Sequence, residues 1–146
     1  MYVCTFVDST VLDSQLFVPG YSIFRKDNAC PRGELLIYIK HDLCCCCRTD
    51  LESENSESLW LEFKVCYSKP MLLCYSYRPP SSKEEWLTLF SESLDKSFNE
   101  NKETVILGDF NFDLLKLCHN SKSWLQPMES MNFTQLVNVQ RTRTTE

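Results

Sequence analysis

The sequence predicts a layered α/β domain. Three observations carry that expectation: short apolar runs of strand length divided by polar turns, one amphipathic stretch with helical period, and an apolar run at Val105-Ile-Leu107 that ends on a glycine and two short polar side chains. The chain has 146 residues, which fits one domain with a core of its own, since domains most often run to about 100–150 residues. Residues 1–146 are therefore read as a single domain.

Taken in order, Tyr2 to Val7 has the composition of a strand, and Pro19-Gly20 marks a turn after the apolar Leu16 to Val18. Leu35-Leu-Ile-Tyr-Ile39 follows Arg32-Gly33 and is rich in β-formers, as a buried strand would be. Leu59 to Val65 alternates, with Leu59, Leu61, Phe63 and Val65 set against Trp60, Glu62 and Lys64, the period of a half-exposed strand. Met71 to Tyr77 is a further apolar run. Pro79-Pro80 closes it, because proline lacks the amide donor that a central strand needs. A helix is expected from Ser82, where Ser82 and Glu85 have the spacing of a capping box and Trp86, Leu89, Phe90, Leu94 and Phe98 fall on one face. That face should pack on a sheet. A second helix is expected around Trp124 to Met131, with Pro127 near its start or at a kink.

Composition removes several function classes. No stretch reaches the roughly 18 consecutive apolar residues of a membrane span, and Met1-Tyr-Val-Cys-Thr-Phe6 lacks the basic and apolar regions of a secretion signal. The net charge is −5, which argues against generic attraction to nucleic-acid phosphates, so any such contact must be local. Nine cysteines, an odd number with four consecutive at Cys44 to Cys47, make a poor disulfide framework. They are read as reduced thiols. The Cys-x-x-Cys within the run has no second pair to complete a zinc site, so a thiol-rich strand end or loop is the alternative. His41 and His119 are read as surface histidines.

The segment Thr104-Val-Ile-Leu-Gly-Asp-Phe-Asn111 places a carboxylate and a carboxamide two apart, just past an apolar strand. In α/β proteins the carboxyl ends of core strands are where chemistry usually sits. Asp109 there could accept a proton from an attacking water while Asn111, both donor and acceptor, fixes its geometry. An Asx turn closing the strand fits the same two residues.

Gly108-Asp-Phe-Asn111 resembles the most recognisable motif of the endonuclease/exonuclease/phosphatase family. It stands in series with Arg32-Gly33 before the Leu-Ile-Tyr-Ile strand, Ser58-Leu-Trp-Leu-Glu62, Tyr77-Arg-Pro-Pro80, Gln135-Leu-Val137 and Thr142-Arg143-Thr144. The series is similar to the endonuclease domain that precedes the reverse transcriptase in animal LINE-like (non-LTR) retrotransposons, and it spans nearly the whole chain. The resemblance implies a partial four-layer α/β sandwich of the deoxyribonuclease I type, lacking terminal strands. It implies a magnesium-dependent phosphodiesterase that nicks DNA, with a reverse transcriptase domain in cis and access to chromatin, although no basic nuclear-import cluster is present.

Position by position, the resemblance makes Asp109 the residue that orients or deprotonates the water, Asn111 the one that holds it and the scissile phosphate, and Tyr77 the tyrosine that contacts that phosphate. A strand-end aromatic at an interface is the plainer reading of Tyr77. Arg78 is either a phosphate contact or a solvated turn residue. The departures matter as much. Cys4-Thr-Phe-Val-Asp8 is similar to the family's Glu-Thr-Trp-Leu-Asp, which sets Cys4 where the metal-binding Glu belongs, and a thiol is a poor ligand for hard Mg2+. The family's first Asn strand and final Ser-Asp-His strand are not found in the chain. The expectation is a catalytically degenerate fragment, with a non-catalytic binding module, or a phosphatase or other nuclease branch of the same family, as alternatives.

Overall fold

Two uninterrupted apolar runs, Leu35-Leu-Ile-Tyr-Ile39 and Met71 to Tyr77, become inner strands of two separate sheets, as strands covered on both faces should. The computed structural model describes residues 2–5, 10–26, 35–53, 56–64, 66–82, 84–111, 113–114 and 119–137. Of the motifs named above, residues 6–8 of the Tyr2–Val7 and Cys4–Asp8 segments, Arg32-Gly33, Val65 and Thr142-Arg143-Thr144 lie outside them. The chain divides into two compact units, Met1–Phe110 and Asn111–Glu146.

In the first unit, β1 (Tyr2–Thr5) and β2 (Tyr21–Lys26) flank β3 (Leu35–Lys40), both antiparallel to it. No apolar period announces β2, whose Tyr-Ser-Ile-Phe-Arg-Lys mixes polar and apolar side chains on both faces. The loop from Thr10 to Gly20 lies against this sheet: the Tyr38 hydroxyl donates to Leu16 O at 2.8 Å and Arg25 Nη1 to Val11 O at 2.6 Å. It ends in the expected turn, where Gly20 takes a φ of 83° that a side chain would resist.

The second sheet runs β4 (Cys45–Cys47), β5 (Ser58–Phe63), β6 (Met71–Tyr77), β7 (Glu103–Asp109). Only β6 and β7 are parallel, and a parallel pair needs a crossover, here the helix α1 (Glu84–Phe98). The cysteine run thus forms an edge strand, with Cys45 turned partly into the core and Cys44 to Cys47, Cys66 and Cys74 all free thiols.

The core lies between the sheets. Leu35, Ile37 and Ile39 of β3 meet Leu59 and Leu61 of β5 and Leu73, Tyr75 and Tyr77 of β6. The other face of the second sheet is not solvated as the alternation of β5 suggested. Trp60 is fully buried beneath α1, its indole N–H donating to Ser93 Oγ at 2.8 Å, and Ser93 Oγ donates onward to Leu51 O at 2.6 Å. The amphipathic helix has converted a half-exposed strand into a doubly covered one, as α/β layering requires.

The helix is described from Glu84, and Lys83, which joins it to Ser82, lies outside the described residues. Its far end differs from expectation: Phe98, its last residue, is 52% exposed instead of continuing the Phe90 and Leu94 face. In the second unit α2 (His119–Ser130) starts earlier than predicted and contains Pro127 in its last turns, with Trp124 and Met128 buried. His41 stands in the exposed turn after β3.

Candidate active site

β7 can lie against β6 at its far end only because residue 108 is glycine. A Cβ built there would sit 2.0 Å from the Ser76 carbonyl oxygen and 3.1 Å from Phe110 Cζ, so any other residue must push the strands apart. This explains a glycine before the Asp by packing and not by chemistry. The residue after the Asp is an anchor. Phe110 packs edge-on to Trp86 and Phe90 of α1 with ring centroids at 6.3 and 6.4 Å, while Trp86 and Phe90 stack on each other at 5.1 Å. Asp109, half-buried between a glycine that cannot change and an aromatic held in a cluster, has its backbone fixed from both sides.

Asp109 pairs in register with Tyr77, and Arg78 N–H donates to Asp109 O at 2.9 Å. Tyr77 is 6% exposed and belongs to the core cluster, and Trp86 Nε1 donates to its carbonyl at 3.2 Å. The fold therefore brings together Asp109 and Tyr77, which stand 32 residues apart in sequence, on adjacent strands. Arg78 directs two of its donors inward, Nη1 to Phe110 O at 3.4 Å and Nη2 to Ser82 O at 3.1 Å, which ties the end of β6 to the segments that follow β7 and precede α1. Asn111 opens the second unit with a φ of 52°, the left-handed region that asparagine tolerates better than most residues. Cys4 is paired opposite Leu36 in β1, and its side chain lies outside the described residues.

One residue of this neighbourhood was missed. Tyr77 N–H donates to Glu57 O at 3.0 Å and Ser76 Oγ to the same oxygen at 2.9 Å, which continues the β5–β6 pairing one step and sets Glu57 beside Tyr77 on the side away from Asp109. Burial pushes the Glu57 carboxyl up to about 7, because an ionised group loses hydration there. Its Oε2 is buried without a hydrogen-bond partner among the described residues. In the sequence Glu57 is one acid in a polar stretch, and only the strand register reveals its neighbours. Among the described residues no three His, Cys, Asp or Glu side chains are gathered as a bound metal ion would require.

Two stacked sheets, with a crossover helix on one of them, give this chain the deoxyribonuclease I-like α/β fold. Among solved structures, the chain is similar to the endonuclease domain of TRAS1, a telomere-specific non-LTR retrotransposon, with 12% identity and a TM-score of 0.62. The match covers 88% of this chain and 57% of that one, so the chain spans little more than half of its neighbour's length. No protein-family model matches the sequence, and no curated protein matches it.

Proposed function

We propose that the chain derives from a retrotransposon DNA endonuclease, a phosphodiesterase domain that worked in cis with a reverse transcriptase, and that it is catalytically degenerate. The observation that carries this reading is the pairing of Asp109 with Tyr77 at the Gly108-held end of β7, within an endonuclease-type fold. In this reading Asp109 accepts the proton of the attacking water and the Tyr77 phenol donates to a non-bridging phosphate oxygen. The resemblance gives Asn111, the first residue of the second unit, the role of orienting the water.

Degeneracy rests on Cys4. In the family the position carries the Glu that binds Mg2+, and the ion supplies charge neutralisation at the phosphate when bound. A thiol in its place does not fit a resident magnesium ion, so no step is assigned to one. Retaining the fold and the phosphate-side residues while losing the metal ligand favours a second reading as well, a domain that binds DNA without cutting it. The experiment is nicking of supercoiled plasmid in Mg2+ buffer by the purified chain beside Asp109→Ala. Equal, background rates are expected, and nicking that depends on Asp109 would replace the degenerate reading with an active one.

A further inference from the structure

The run of four cysteines forms an edge of the second sheet, since β4 has β5 as its one neighbour there. Side chains alternate across a strand, so the register decides which way each thiol points. Cys45 and Cys47 lie opposite Phe63 and Leu61, and Cys45 packs against the core between the sheets. Cys46 lies opposite Glu62, and Lys64 N–H donates to Cys44 O at 2.9 Å, which continues the pairing one step and sets Cys44 opposite Lys64. Cys44 and Cys46 therefore share the face that carries Glu62 and Lys64, and both are exposed free thiols. Residues two apart in a strand stand about 6.6–6.8 Å apart along it, close enough for two side chains to lean together over one atom. The Cys-x-x-Cys spacing fails this test, because Cys44 and Cys47 point to opposite faces.

We propose that Cys44 and Cys46 form a binding site for a soft monovalent ion, copper(I), held in line between their two sulfurs. Soft thiolates select copper(I) and zinc over hard cations. Zinc wants four ligands in a closed site, and among the described residues no three His, Cys, Asp or Glu side chains are gathered. Glu62, the acid nearest in register, is already held by Lys102 at 2.8 Å and by Arg48. A pair of thiolates and no more suits copper(I), which is satisfied by two. Each thiol releases its proton to solvent as its sulfur bonds the ion, so two S–Cu bonds replace two S–H bonds and no electron moves. The complex carries one negative charge, and Lys64, exposed and opposite Cys44, supplies a cation on the same face. The pair lies at the end of the sheet where β6 begins, away from Tyr77 and Asp109, so the site is independent of the phosphodiester reading.

The test titrates the reduced full chain, without oxygen, with copper(I) supplied as its acetonitrile complex in competition with bicinchoninate, a chelator that is coloured when it holds copper(I). Expected is one ion per chain withdrawn from the chelator, with two sulfur neighbours by X-ray absorption and no displacement by an equal amount of Zn2+. Cys44→Ser and Cys46→Ser should each weaken binding by at least about 100-fold, the worth of a tethered second ligand. Cys47→Ser, exposed in the same strand but directed to the other face, should keep the parent affinity. Circular dichroism checks that all three variants fold, as changes at exposed thiols should allow. Copper left with the chelator throughout, three or more sulfurs around the ion, displacement by Zn2+, or a loss in Cys47→Ser equal to that in Cys46→Ser overturns the site.

Discussion

The two ends of the second sheet treat their carboxylates in opposite ways. At the end where β6 and β7 begin, Arg48 bridges Glu62 and Glu100, Lys102 donates to Glu62 at 2.8 Å and to Glu100 at 2.5 Å, and Asp50 receives Arg48 at 2.7 Å. Each carboxylate there has a cation, and the Arg48 hydrogen bond, the largest of several influences, holds Glu100 down to about 2. At the end where those strands finish, Glu57 has no cation within bonding reach among the described residues and is pushed up to about 7 by burial. One end is saturated and stabilises the sheet. The other holds a buried carboxyl oxygen that has no hydrogen-bond partner among the described residues.

The contrast is broken most severely through the glycine that shapes the finishing end. Gly108→Ala places a methyl group 2.0 Å from a backbone oxygen, which no rotamer can relieve, so β7 must part from β6. The expected loss is about 3–5 kcal/mol, enough to unfold a domain of ordinary marginal stability. Urea denaturation followed by tryptophan fluorescence checks it, and a loss under about 1 kcal/mol would mean that the strand end is looser than described.

How much of this was legible follows from what each signal depends on. The inner strands and α1 were readable because their apolar periods are local properties of the chain. The aspartate was readable because glycine, aspartate and asparagine after a buried run are unusual together. Trp60 was misplaced since its burial depends on a helix 24 or more residues further on, which no period within β5 encodes. Glu57 was invisible for a similar reason: its position matters only through a register with Tyr77 that antiparallel pairing fixes. Strand β2 lacked any alternation and owes its existence to the edge that β3 offers it.

The next effect sharpens the comparison by pH. Glu57 has a folded value near 7, raised from 4.5, so the folded state binds the proton more tightly. Its contribution is complete below about 4.5 and is lost as pH rises through about 7, a cost of roughly 2 kcal/mol after allowance for partial exposure. Glu100 behaves in reverse. Lowered from 4.5 to about 2, it contributes above about 4.5 and that contribution is lost as pH falls towards 2. Its partners are partly open to solvent, which limits the effect to roughly 1–2 kcal/mol. Stability curves against pH should thus lose their alkaline slope in Glu57→Gln and part of their acid slope in Glu100→Gln. Interchanged or identical changes would show that the two ends do not differ in kind.

The smallest effect tests whether the saturated end is a network or a set of pairs. Asp50 shares Arg48 with Glu62 and Glu100, but its side chain is 63% exposed while theirs are 13% and 23% exposed. Exposed ion pairs are screened and pay in side-chain order for what they gain, so Asp50→Asn should change stability by less than about 0.5 kcal/mol and soften the dependence on salt only slightly. Combining it with Glu100→Gln gives the deciding measurement. If Arg48 is held chiefly by the two less exposed glutamates, the double variant equals the sum of the singles. If Asp50 orients the guanidinium for Glu100, the sum fails by an amount comparable to the Glu100 effect itself, and the outermost carboxylate would prove to be the one that keeps the inner pair in line.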